Sequence, residues 1–268
     1  MNGRPRLLDL FCGEGGAGMG YSLAGFGVYA VDNNPARLAM NPFPSHLGDV
    51  IEVMATLIGG RAVDFTHRDG RVEWLTLADF AVIHGSPTCT GYSRGTAAIP
   101  DRLTRYDRLI AITRALMVEA GLPYVIENVA DARSELRDPM LLCWSMFYDA
   151  GSVFDTDGTP LRMERHRLFE SNVPLDPGHS LGSEYVLGSC YHPRSVQVAG
   201  AYGGARRDKV EARMIRKGGY VPQSLAVLRA LVGAPWMSET GCFLSIPPAY
   251  TSFIGAQLID HLTRSAAA

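Results

Sequence analysis

The chain has 268 residues, of which 47% are hydrophobic and 19% charged, the profile of a globular protein able to bury a sizeable core in one large domain with room for a small second one. Its formal charge of -2 excludes a chain-wide basic signature, so any contact with nucleic acid has to come from local clusters. The five cysteines, Cys12, Cys89, Cys143, Cys190 and Cys242, are odd in number and far apart, without a Cys-x-x-Cys pair or a Cys/His cluster of zinc spacing. That pattern implies a reducing cytoplasm and no structural metal. The apolar part of Met1 to Phe11 is too short for an export signal, and no run of about 18 apolar residues suggests a membrane span.

In chain order, Arg6 to Phe11 reads as a first strand, Gly16 to Ala24 as a helix, Gly27 to Val31 as a second strand and Asp49 to Ile58 as a helix. Arg61 to Leu77, around the turn residues Arg68-Asp69-Gly70, reads as a hairpin insertion without chemistry of its own. Asp79 to Ile83 then reads as a buried strand, Leu103 to Ala120 as an amphipathic helix and Pro123 to Ile126 as another buried strand. Short apolar runs alternating with helical patterns predict βαβ units, a parallel sheet and an α/β fold. In such sheets ligands bind in the crevice at the carboxyl ends of the strands. Past Ser171 the texture changes to Gly, Pro, Ser and Tyr, and 171–220 reads as a smaller inserted or appended region. A helical pattern resumes at Val221 to Val232, Ile254 to Leu262 reads as a closing helix, and Thr263 to Ala268 as a frayed tail.

The segment Leu7-Leu8-Asp9-Leu10-Phe11-Cys12-Gly13-Glu14-Gly15-Gly16 places a tight glycine loop between the first strand and the first helix. Glycine suits a backbone that must turn sharply and approach a ligand closely. Nineteen residues after Gly13, Asp32 ends the second strand, where a carboxylate can accept hydrogen bonds from ribose hydroxyls. Asp49, after a third strand, is suited to an adenine amino group or to capping a helix. On these residues alone the loop also satisfies a dinucleotide pattern, so a nicotinamide-dependent dehydrogenase stays open at this point.

Further along, Ser86-Pro87-Thr88-Cys89, Glu127-Asn128-Val129 and Arg165-x-Arg167 follow the glycine loop and Gly48-Asp49-Val50 in the order of the motifs of DNA cytosine-5 methyltransferases, which the chain resembles from Leu7 to Phe169. The closing segment from Ile246 to Gly255 is similar to the C-termini of phage-encoded members. The resemblance implies a Rossmann-like S-adenosylmethionine-dependent methyltransferase sheet with a small target-recognition region. It divides the chain into a catalytic and cofactor-binding domain (1–170), a target-recognition region (171–232) and a C-terminal segment returning to the catalytic domain (233–268). It implies S-adenosyl-L-methionine held by Phe11, Gly13, Gly15, Gly16, Asp32, Asn33 and Asp49, double-stranded DNA as partner, and a monomer in the cytoplasm of a bacterium or phage-infected cell.

The chemistry agrees with that likeness. C5 of cytosine is a poor nucleophile until a thiolate adds to C6, and this requires an accessible cysteine. Cys89 follows a buried strand in a loop with Pro87, Gly91 and Ser93, whereas Cys143 lies in an apolar run. Addition is eased by a proton or hydrogen bond at N3, which Glu127 in a dry crevice could supply. Arg165 and Arg167, as alternate residues of one strand, are expected on one face, with Arg165 touching the base as in the family. Two departures stand out: Thr88 and Thr90 flank the cysteine where the family has Pro and Gln, and Phe243-Leu244 replaces its Gly-Asn pair.

A base inside a duplex must be flipped out before such chemistry, so local basic contacts are expected. Cys190 to Tyr220 holds seven basic residues against two acidic ones, a local charge of +5, and Arg94 to Arg114 has a local charge of +3. Arg94, Arg206, Arg207 and Arg213 are the expected DNA contacts, reading a short target of about two to four base pairs. Methylation of tRNA by the same motifs and a catalytically silent DNA-binding relative are the competing readings.

Overall fold

A computed structural model describes residues 3–92, 108–149, 151–178, 197–198, 222 and 224–267. The elements run β1 (Arg6–Leu10), α1 (Gly16–Ala24), β2 (Gly27–Asp32), α2 (Pro35–Leu38), β3 (Ser45–Leu47), α3 (Val50–Ile58), β4 (Val63–Thr66), β5 (Val72–Leu75) and β6 (Val82–Gly85). They continue with α4 (Ile110–Ala120), β7 (Tyr124–Val129), β8 (Met140–Leu142), β9 (Val153–Phe154), β10 (Pro160–Arg162) and β11 (Arg167–Ser171). After β12 (Gln197–Val198) come α5 (Leu225–Val232), α6 (Glu239–Leu244) and α7 (Pro248–Ala267).

Nine strands form one sheet in the order β5-β4-β3-β2-β1-β6-β7-β11-β8. The central run from β3 to β7 is parallel, and the flanking pairs are antiparallel. Residues alternate between two buried faces: Leu7, Val82 and Val125 join a core with Tyr21, Trp144 and Tyr250, while Leu8, Ile83 and Ile126 join one with Val53, Met54 and Met117. Burial on both faces is why these strands read as largely apolar runs. The chain passes β1, β2, β3 to one side and resumes with β6 on the other side of β1. The carboxyl ends of β1 and β6 therefore flank the topological switch point, where open α/β sheets bind ligands.

The C-terminal helix α7 lies on α1 through small residues. A Cβ on Gly20 would collide with the Pro248 carbonyl and the Thr251 hydroxyl, and Thr251 Oγ1 donates to Ala17 O at 2.8 Å. On the opposite side of the sheet, the buried Arg114 of α4 grips the Glu170 carboxylate of β11 through Nε at 2.5 Å and Nη2 at 2.6 Å.

Several elements depart from expectation. The strand expected from Asp79 begins at Val82, because Thr76 and Asp79 form a capping box that coils Leu77–Asp79 into a 3-10 turn. Pro248 starts the last helix six residues before Ile254, its fixed φ being suited to a first helical turn. The expected hairpin is present and extends the main sheet as β4 and β5. A second, three-stranded sheet, β12-β10-β9, begins at Val153, before the texture change at Ser171. Of the helix expected over Leu103 to Ala120, Leu103 to Asp107 lies outside the described residues. Among the described residues no helix is long and apolar enough to cross a membrane, and no group of three or more His, Cys, Asp or Glu could hold a metal ion.

Candidate active site

At the switch point lies a cavity of about 460 Å³. Its walls bring together Phe11, Gly13, Gly16, Asp32, Asn33, Asp49, Cys89, Glu127 and Arg167 from six separate stretches of chain. Gly15 and Arg165 are not on that wall. Gly15 is the N-cap of α1, with φ 85°, and Arg165 is buried behind.

The floor is built by backbone conformations that glycine adopts readily. Gly13 has φ 53° and Gly15 φ 85°, while Phe11 holds φ 57° without being glycine. A non-glycine residue there is held against a conformational cost by its surroundings, a feature that clusters at ligand sites. Asp32 shapes the loop directly: Gly13 N donates to Oδ2 and Asn34 N to Oδ1, each at 2.9 Å. Each oxygen keeps a lone pair for a further donor. Asp49 caps α3, with Oδ1 accepting from Ile51 N at 2.8 Å and Glu52 N at 3.3 Å, and it also faces the cavity.

Beneath the loop, Asp9 is fully buried in β1 and neither carboxyl oxygen makes a well-formed hydrogen bond among the described residues. Burial, reinforced by the charge of Asp32 and only partly offset by the nearby Gly18 amide, pushes it up to about 8. Asp9 is therefore protonated in the folded protein at neutral pH and ionised in the unfolded chain. Stability should fall as pH rises from about 4 to about 8 and then level off, because the folded state holds the proton longer. Asp9→Asn keeps the shape without the charge. Denaturant unfolding at pH 5 and pH 9 should show the variant gaining a few kcal/mol more over the wild type at pH 9 than at pH 5. Equal differences at both pH values would refute a buried neutral carboxyl.

The same cavity is lined by Cys89, Glu127 and Arg167. Cys89 is half-buried; burial pushes its thiol up, while the Arg167 guanidinium works in the opposite direction. Asn128 Nδ2 donates to Pro87 O at 2.9 Å, anchoring the cysteine loop to β7. Glu127 is buried, and desolvation raises it to about 7 despite Arg167 and Arg165 nearby. Arg167 Nε lies 2.9 Å from Glu127 Oε1, an ion-pair distance, but no N–H is aimed at that oxygen, which lacks a hydrogen bond among the described residues. The Glu127 oxygen thus stays available.

The two arginines do not share a face. The strand starts at Arg167, and Arg165 precedes it with its guanidinium turned away, donating to Phe243 O at 2.8 Å and to Ser245 O at 3.0 Å. The expectation of alternate strand positions fails because the long-range carbonyls of the C-terminal segment claim Arg165. That segment, through Met237, Gly241, Leu244, Ser245 and Ile246, supplies a whole wall of the cavity, and Arg37 and Glu14 also face it. Met237, Gly241 and Arg37 were not expected; Glu14 stands in the glycine loop, Leu244 was noted as a departure, and Ile246 opens the closing segment similar to phage-encoded members. The serine N-cap Ser238 before α6 was the local signal available. Arg94, Arg206, Arg207 and Arg213 lie outside the described residues.

Sheet order, switch point and glycine loop define an α/β Rossmann-like fold. A structure with this fold is that of a candidate DNA modification methyltransferase encoded within a prophage (E. coli), with 16% identity over 97% of this chain and 99% of that one and a TM-score of 0.51. The S. pombe Dnmt2 methyltransferase is also similar, with 13% identity, the same coverages and a TM-score of 0.46. No family model and no curated protein matches the chain.

Proposed function

We propose that the chain transfers a methyl group from S-adenosylmethionine to C5 of a flipped-out cytosine in double-stranded DNA, through a covalent bond between Cys89 and C6. The observation that carries this is the meeting of Cys89, Glu127 and Arg167 in one cavity with the glycine loop, Asp32 and Asp49. The residues present fit the cofactor: the volume is within the range of small-molecule sites, the left-handed glycine at Gly13 allows close approach, and Asp32 retains acceptor capacity for ribose hydroxyls. Phe11, Gly13, Gly16, Asp32, Asn33 and Asp49 would hold it. When bound, S-adenosylmethionine supplies a sulfonium methyl carbon as electrophile.

The chain's own groups prepare the base. The Cys89 thiolate forms a bond to C6, and the C5–C6 electron pair shifts to make C5 nucleophilic. Glu127, holding its proton up to about pH 7, donates a hydrogen bond or proton at N3, where negative charge would otherwise build up. Arg167, beside both groups, steadies the charge that develops. After C5 is substituted, its proton leaves to solvent and the Cys89–C6 bond breaks, restoring the C5–C6 double bond. Base contact falls to Arg167, since Arg165 is committed to backbone carbonyls.

The test uses a duplex carrying 5-fluorocytosine with S-adenosylmethionine. Fluorine cannot leave C5 as a proton, so a denaturation-resistant protein–DNA adduct is expected, and ordinary duplex should yield 5-methylcytosine on nucleoside analysis. Methyl label entering RNA instead, or no adduct and no product with any cytosine substrate, would overturn the reading.

The pH dependence carries a sharper expectation. The productive free enzyme has Glu127 protonated and Cys89 ionised, although Glu127 sits at about 7 and the thiol above its usual 9.0. Between the two values the population of this form is constant, and below about pH 7 it falls tenfold per unit. So kcat/KM should rise to about pH 7 and then stay level up to the thiol value, above which it falls. In Glu127→Gln the break near 7 should vanish and activity should climb on towards the thiol value, at a rate lower by roughly 10²–10⁴. A break that stays near pH 7 in Glu127→Gln would assign the titration to another group.

A further inference from the structure

Two buried charges bracket the short helix α6. At its start, Ser238 donates its backbone N–H at 2.7 Å and its hydroxyl at 2.5 Å to the Glu14 carboxylate, and Trp236 Nε1 donates to Glu14 O at 2.8 Å. At its end, Arg165 donates to the carbonyls of Phe243 and Ser245. An anion at the first turn and a cation at the last match the partial charges of a helix. The seat is tight, since a Cβ on Gly241 would collide with the Glu14 carboxylate. Glu14 belongs to the glycine loop, and the segment it holds faces that loop across the cavity through Met237, Gly241, Leu244, Ser245 and Ile246.

From this geometry we infer that Glu14 is a positioning residue of the cofactor cavity, holding α6 where its wall closes over the glycine loop. The inference rests on reading the cavity as the S-adenosylmethionine site. A ligand between loop and wall gains contacts from both only when the wall is docked, so ligand affinity and docking of 236–246 form one coupled equilibrium. Glu14 touches Ser238 rather than acting on the substrate, and its effect is transmitted through that contact.

The experiment compares wild type, Glu14→Ala, Glu14→Gln, Ser238→Ala and the Glu14→Ala/Ser238→Ala double variant, each checked for a cooperative melt. Binding of S-adenosylhomocysteine is measured by calorimetry, and amide hydrogen exchange over 237–246 is followed without ligand. Glu14→Ala should weaken binding about tenfold or more and speed exchange in that segment by a similar factor, as expected for loss of hydrogen bonds to a charged acceptor. Glu14→Gln keeps a carbonyl acceptor and should recover much of both. The double variant should be no more than about twofold worse than the worse single one, since both remove the same contact. Folded Glu14→Ala with affinity within about twofold of wild type, or multiplicative losses in the double variant, would overturn the inference. Should Glu14→Ala fail to fold, Ser238→Ala carries the same two readouts. Should wild type bind no S-adenosylhomocysteine, the cofactor reading fails; unchanged exchange over 237–246 in the variants would then separately overturn the Glu14 contact as a positioning device.

Discussion

Replacing Cys89 by serine is expected to abolish methyl transfer, by roughly three orders of magnitude or more, while S-adenosylhomocysteine binding stays within about twofold of wild type. Serine is smaller and far less acidic than cysteine, so the group proposed to add to C6 is lost with little change in shape. Binding should persist because the glycine loop, Asp32 and Asp49 come from β1, β2 and the start of α3, while Cys89 follows β6. Cys12 is the informative control, for it faces the same cavity. It is buried, receives a hydrogen bond from Asn41 Nδ2 at 3.3 Å, and is pushed well above the usual thiol range by burial and by Asp9 and Asp32. Cys12→Ser should keep most of the activity. Cys89→Ser retaining more than a few per cent of activity while Cys12→Ser loses it would reverse the assignment of the nucleophile.

Glu170→Ala is expected to lower stability by about 3–5 kcal/mol, a large part of the roughly 5–15 kcal/mol that holds a domain together. The Glu170 carboxylate is almost fully buried and receives Arg114 on both oxygens, Arg137 N at 2.8 Å and Tyr124 OH at 3.4 Å. Removing it leaves Arg114 buried, with the Glu135 carbonyl as its remaining acceptor among the hydrogen bonds described. Because α4, β7 and β11 all meet here, the loss should appear as a cooperative drop in melting temperature, on the order of 6–20 °C. Arg114→Ala should cost a similar amount, and the double variant clearly less than the two losses added together. A Glu170→Ala protein within about 1 kcal/mol of wild type would mean that the pair does not anchor these elements.

Much of the framework was legible because its causes are local. The helix Gly16–Ala24 was readable to the residue from its glycine boundaries, and α3 from Asp49 as its cap. The hairpin at Val63 to Leu75 followed from the turn at Arg68-Asp69-Gly70. The strand before Cys89 was misplaced by three residues at its start because the Thr76–Asp79 capping box, also a local signal, was not read. The helix expected from Ile254 in fact begins at Pro248, where proline marks the first turn.

By itself, the sequence determined an α/β sheet with a glycine loop after its first strand, an acid ending the second, a cysteine following a later buried strand and a glutamate on another. These depend on side-chain alternation along a strand and on backbone angles open to glycine, which neighbouring residues dictate. Only the tertiary structure decided which of these residues share a cavity, that Arg167 faces Glu127 while Arg165 serves the C-terminal carbonyls, and that Glu14 holds a wall supplied more than 220 residues later. It also decided that Asp9 and Glu127 hold their protons near neutrality, because desolvation is set by everything packed around a carboxyl and not by its neighbours in the chain.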